Sequence, residues 1–373
     1  SYADQEFYEL SDHDFVHGAV YIISRQQFTK NKSLIVDAVQ QGKIHAILAN
    51  PAEGSEAMYW MFKHFGIDSL EKTSTIPVVT GGYLSEEVSH FYLEYFLPLI
   101  RDYKENLQAI EYYQQNFKLN KPYKFLFLNG RSRGHRKYLL QRFRHNGLLD
   151  QSLWTNLDDG PAYRVDEIQY MVNGENILTH SFPIHYLPPE YEVDRFRNSA
   201  ATIPEPAEVQ GPAGPDLYAK RHLFTLDNGQ HEWGEIYLEP RPYLDTYFSL
   251  VSETVFNYPY TFRTEKIWKP IAIGQPWIAA TNAGFYRDIH NLGFKTFGHL
   301  IDESFDSIDN PQDRIERISA VVEDLCNQNL DDFAVAAQDV CKYNQQLQIE
   351  LGVKTRQEFP ARFIEFLDER FRI

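Results

Sequence analysis

The order of apolar runs and helix-length segments restricts the fold of this chain more than any other feature. "FVHGAVYIIS" (15–24), "KIHAILAN" (43–50) and "IPVV" (76–79) read as buried strands, with helical stretches near 26–41, 54–66 and 84–116 between and after them. That βαβαβα order predicts a parallel sheet with helices on its faces.

A second unit with the same theme begins after the polar residues and Pro122 of "NKPYKFLFLNG". "YKFLFL" reads as a strand and "GHRKYLLQRFRHNG" as a helix, with Tyr138, Leu139 and Phe143 near helical spacing and Gly147 placed to end it. Strand "TYFSLVS" (246–252), a helix in "TFRTEKIWKPIAIGQP" (261–276), strand "PWIAA" (276–280) and a short helix in "GFYRDIHNLG" complete it. The fold class expected is α/β, with two Rossmann-like domains and a C-terminal helical tail. The bounds expected are 1–118, 119–310 with an insertion at 155–245, and 311–373. The insertion holds β-like pieces and a Pro/Gly-rich loop at 203–216.

The formal charge of −16 over 373 residues disfavours generic binding to nucleic acid or anionic membrane unless basic residues are concentrated locally. Only two cysteines occur, Cys326 and Cys341, in no metal-type or CxxC spacing, so a reduced, cytoplasmic setting is expected. No apolar run approaches the length of a membrane span, and the acidic "SYADQEFYELSDHDF" start does not read as a targeting signal.

Basic residues do concentrate in "LNGRSRGHRKYLLQRFRH", where Arg131, Arg133, Arg136 and Lys137 lie on a glycine-containing turn from a strand into a helix. Amides at a helix start and nearby guanidinium groups suit a phosphate or diphosphate; the competing reading is a solvated basic face. Neither GxGxxG nor a Walker pattern is present. Downstream, a strand ends at Ser252 and Glu253, an aromatic loop follows, and Thr264 can cap a helix whose first turn holds Glu265 and Lys266. Adjacent helical residues diverge by about 100°, so this acid and base are expected to reach two parts of one ligand rather than each other. The competing reading has Glu265 complementing the helix dipole and Lys266 in solvent. Pro270, inside the helix, predicts a kink or an irregular first turn.

Phe248, Leu250 and Glu253 in F-x-L-x-x-E, then Thr264–Trp268 in T-E-K-[ILV]-[WF], then Gly274 and Pro276 before a strand resemble the donor-binding signature of glycosyltransferase family 10, the α-1,3/4-fucosyltransferases, and of related GT-B enzymes. Arg136 looks equivalent to that family's nucleotide-diphosphate arginine. The resemblance covers 123–145 and 246–282; Thr254 stands where the family usually has Asn.

The resemblance implies a GT-B architecture, two Rossmann-like domains facing across a cleft, and transfer from a nucleotide diphosphate sugar, GDP-sugar favoured, to a carbohydrate or glycan acceptor. It implies no metal and no cofactor besides the co-substrate. Arg131, Arg133, Arg136, Glu253, Thr264, Glu265 and Lys266 would form the donor site. An inverting enzyme needs a carboxylate base, and the "ANPAEGSEAM" loop makes Glu53 the first choice and Glu56 the second. Alternatives are a non-catalytic nucleotide- or carbohydrate-binding protein, another phosphate-handling transferase and a DNA-modifying glycosyltransferase. Asp12, Asp14 and His17 could mimic a DxD metal site but suit a turn better, as do Asp158 and Asp159; the 13 histidines form no ligand-spaced cluster. Tyr258, Tyr260 and Trp268 could stack on a sugar or simply fill the core.

Overall fold

A computed structural model describes residues 15–50, 76–81, 90–102, 104–158, 171–172, 175–176, 181–191, 223–225, 231–233, 237–257 and 261–371. The chain divides into two compact units, one of Ser1–Pro98, Tyr260–Arg263 and Leu351–Ile373, the other of Leu99–Pro259 and Thr264–Glu350.

The first unit holds a four-stranded, wholly parallel sheet in sequential order: β1 (Val20–Ser24), β2 (His45–Asn50), β3 (Val78–Thr80) and β4 (His90–Tyr92). The first strand starts at Val20 rather than at residue 15, because Gly18 takes a positive φ of 79° and turns the chain just before it. Ser24 caps helix α1 (Arg25–Gln40) by accepting from the Gln27 amide at 3.2 Å. Phe28 and Ile35 of α1 pack on Ala46, Leu48 and Val78. The opposite sheet face, Ile47, Val79 and Phe91, lies under Phe359, Phe363, Phe366, Leu367 and Phe371 near the chain's C-terminus. Burial on both faces is why β2 is apolar without alternation.

The expected single helix over 84–116 is instead β4, helix α2 (Phe96–Asp102) and helix α3 (Lys104–Gln115) among the described residues. Phe91 decides this locally: its ring meets those of Phe359, Phe363 and Phe366 at 5.3–5.8 Å, a tertiary contact outweighing local periodicity. Pro98 falls in the first turn of α2, where its missing N–H costs little. Buried Arg263 donates to Glu94 at 2.6 Å through Nε and also bonds Tyr92.

The second unit carries β5 (Tyr123–Phe127), β6 (Leu153–Trp154), the short antiparallel pairs β7 (Met171–Val172) with β8 (Glu175–Asn176) and β9 (Leu223–Thr225) with β10 (His231–Trp233), then β11 (Thr246–Ser252) and β12 (Trp277–Ala280). Its main sheet has the order β12-β11-β5-β6, all parallel, with every residue of central β11 buried. Helices α4 (Gly134–His145), α5 (Pro240–Leu244), α6 (Glu265–Ile273), α7 (Phe285–Asn291), α8 (Pro311–Cys326) and α9 (Leu330–Ala336) belong to it; α10 (Gln338–Phe371) contributes its first part here and its last part to the first unit. The protein is therefore α/β, with two four-stranded parallel sheets and a long C-terminal helix. No helix among the described residues is long and apolar enough to cross a membrane. The 203–216 loop and the expected 54–66 helix lie outside the described residues.

Candidate functional site

In a parallel sheet every strand delivers its loop to the same edge. The turn from β5 to α4 and the loop from β11 to α6 therefore open at the C-terminal edge of the second sheet. Both carry the basic and acidic residues singled out in the sequence.

Glu253, fully buried, follows the last residue of β11 and joins these two segments. Its carboxylate accepts from the Thr264 amide at 3.1 Å and from the Thr264 hydroxyl at 2.7 Å. Thr264 is the α6 N-cap and its Oγ1 in turn accepts from the Lys266 amide at 3.3 Å. The main-chain carbonyl of Glu253 meanwhile accepts from Arg136 Nη2 at 3.2 Å and contacts His135 Nε2 at 3.0 Å. One residue thus positions the starts of α4 and α6 together.

Arg136 is only 4% exposed. Its Nη1 donates to the Arg131 carbonyl at 2.9 Å and its Nη2 to the carbonyls of Ser252 (3.0 Å) and Glu253, so the guanidinium braces the β5–α4 turn against the end of β11. Arg131 is exposed and Arg133 half-buried. Arg133 is the α4 N-cap in backbone terms but supplies no side-chain cap. Asn129 Oδ1 accepts from Ser252 Oγ at 2.8 Å, and the Ser132 amide donates to Asp158 at 3.2 Å.

Glu265 and Lys266 do touch, contrary to the divergence expected from helix geometry. Lys266 Nζ lies 2.7 Å from Glu265 Oε1 and 3.1 Å from Thr264 Oγ1. A lysine stem is long enough to fold back over the open first turn, where no preceding turn of helix stands in the way. The helical run of α6 continues through Pro270 and ends one turn later at Gly274, whose φ of 86° and whose N–H, donating to the Pro270 carbonyl, close it. Trp268 is fully buried against Phe294 and is core, not a stacking platform. Glu53, Glu56, Asp12, Asp14, Asp159, Tyr258 and Tyr260 lie outside the described residues. His17 is exposed, and Asp158 accepts from the Ser132 amide.

No protein-family model, curated protein or solved structure matches the chain. Among the described residues no group of three or more His, Cys, Asp or Glu could hold a metal ion.

Sequence reasoning missed several residues of this edge. His135 stacks on Phe256 with ring centroids 5.0 Å apart, and burial together with Arg136 holds its pKa well below the ordinary imidazole value. Arg314 of α8 is 2% exposed; its Nε donates to the Thr281 carbonyl (3.1 Å), its Nη1 to those of Ile308 (2.6 Å) and Asp309 (3.0 Å), and its Nη2 to that of Phe256. A position adjacent to Arg136 was the only sequence signal for His135, and nothing local marked Arg314.

The two neighbouring acids are pushed apart. Burial raises the Glu253 pKa despite Lys266 and the Thr264 bonds; for Glu265 burial also opposes charge, but Lys266 and Lys269 outweigh it and hold the carboxyl below its usual range. A raised folded pKa means that the folded state binds a proton more readily than the unfolded chain. The Glu253 contribution to stability is therefore lost as pH rises from the ordinary value of 4.5 through its folded pKa. Glu253→Gln removes that contribution, so its stability relative to the parent should improve in urea titrations as pH rises above 4.5. A difference independent of pH would remove the assignment.

Proposed function

We propose that the chain is a metal-independent, inverting glycosyltransferase of GT-B type that takes a nucleotide diphosphate sugar, GDP-sugar favoured, and glycosylates a carbohydrate-type acceptor. The observation carrying this reading is the meeting at Glu253 of the two segments that resemble the family 10 enzymes: α4 reaches its carbonyl and α6 its carboxylate. An edge with arginines on one helix start and a Glu–Lys pair on the other suits a ligand with both phosphates and hydroxyls.

In this reading the donor diphosphate lies at the basic β5–α4 turn. Lys266 and the Arg131–Arg133 pair offset the charge that grows on the leaving diphosphate. Glu265, already paired with Lys266, faces the ribose or sugar hydroxyls, and Glu253 serves by holding Thr264. The acceptor oxygen forms a bond to the anomeric carbon while the carbon–oxygen bond to the diphosphate breaks. The acceptor proton passes to a carboxylate, for which Glu53 is the first candidate and Glu56 the second.

A thermal-shift panel of GDP, UDP, CDP and ADP, followed by transfer assays with the matching sugar nucleotides, tests the reading. At least one diphosphate should stabilise the protein, and Glu53→Gln should keep donor binding while turnover falls by about 10²- to 10⁴-fold. A protein indifferent to all four nucleotides would sink the donor site. Undiminished turnover in Glu53→Gln would transfer the role to another acid.

A further inference from the structure

The residues that would meet the diphosphate differ from those that the basic composition of the turn suggests. Of the two helix starts at this edge, α6 is already supplied with negative charge. Its cap Thr264 is held by the Glu253 carboxylate and Glu265 occupies its first turn. The 12-residue α4 has no acidic residue in its first turn and no side-chain cap. Its opening amides have no acceptor inside the helix, as at any helix start.

Two buried polar side chains in the turn leading into α4 add an independent observation. Asn129 is 1% exposed and its Nδ2 has no protein partner, its Oδ1 being committed to Ser252. Ser132, two residues before α4 begins, is 2% exposed and its Oγ has no partner either. Buried polar atoms are nearly always hydrogen-bonded, so a pair of spare donors beside an uncapped helix start calls for an acceptor-rich ligand. Arg136, by contrast, is spread over three main-chain carbonyls.

We infer that Ser132 Oγ, Asn129 Nδ2 and the opening amides of α4 bind the diphosphate oxygens, while Arg136 stays on its carbonyls and braces the turn. This rests on the donor-site reading above and assigns its phosphate contacts. Arg131 and Arg133 supply the surrounding positive charge. Two groups bear on the fit from the other side. Asp158 takes the Ser132 amide and opposes an anion through its own charge. His135 gives its Nε2 proton to the Glu253 carbonyl, leaving Nδ1 as a bare acceptor that suits a ligand hydroxyl and not a phosphate oxygen.

Calorimetric titration of the full chain with inorganic pyrophosphate, GDP and guanosine decides it. Ser132→Ala should weaken pyrophosphate and GDP about tenfold, the factor that one hydrogen bond to a charged group typically carries, and leave guanosine unchanged. Its melting temperature without ligand should stay level or rise, because a buried hydroxyl lacking a partner is removed; a hydroxyl with a purely structural role would lower it. Asp158→Asn should tighten pyrophosphate. No pyrophosphate binding by the parent, or equal affinity in the parent and Ser132→Ala, overturns the assignment. GDP binding insensitive to Ser132 would overturn it and leave the glycosyltransferase reading standing. Ser132-dependent pyrophosphate binding in a protein that no nucleotide stabilises would do the reverse.

Discussion

Arg314→Met is expected to lower the unfolding free energy by about 3 to 5 kcal/mol, because hydrogen bonds from a charged donor are worth about 1.5 to 3 kcal/mol each and two of its carbonyl acceptors are buried. The side chain is 2% exposed and its guanidinium reaches four carbonyls. Methionine restores most of the volume but no donor, so the buried oxygens at Phe256 and Thr281 lose their bonds away from water, while those at Ile308 and Asp309, nearer the surface, can turn to solvent. These carbonyls belong to three separate loops: after β11, after β12, and before α8. The guanidinium also lies over the Phe256 ring at 4.6 Å, on which His135 stacks. Chemical denaturation measures the loss directly, and Arg314→Lys should recover little of it, since one ammonium cannot span the same acceptors. An unfolding free energy within about 1 kcal/mol of the parent would show that the loops hold themselves.

Arg136→Met should cost about 2 to 4 kcal/mol with no ligand present, because it too strips a donor from buried carbonyls. That separates bracing from ligand binding. A guanidinium kept for phosphate would stand in a field of like charge, from Arg131 and Arg133, and its removal would leave the unliganded protein unchanged or more stable. Urea titrations of the ligand-free variant therefore speak to role without any knowledge of the ligand. Unchanged stability would return Arg136 to the phosphate-binding group.

The strands of the second sheet were legible where they are long and apolar. Residues 246–252 match β11, and 277–280 lie within the run marked for β12. Strands of two or three residues, β4 and β6, show no periodicity, and their existence depends on neighbours distant in the chain. In the site, Thr264 as a cap and Glu265 in the first turn were readable, because capping is a local rule. What Arg136 touches was not readable. An arginine after a glycine-bearing turn suits phosphate and main-chain carbonyls alike, and only the burial of Ser252 and Glu253 beside it decides. The Lys266–Glu265 contact escaped for another reason: helical projection describes Cβ directions, whereas four methylenes can bring an ammonium back across them.

The aromatic cover of the first sheet has a consequence for the order of synthesis. Ile47, Val79 and Phe91 are translated early, yet Phe359, Phe363 and Phe366, which shield them, follow the whole of the second unit along the chain. A nascent first unit therefore displays a bare apolar sheet face while the second is being made. It can condense fully only when the end of α10 leaves the ribosome, so the second unit, sequentially enclosed between pieces of the first, can complete its own core sooner.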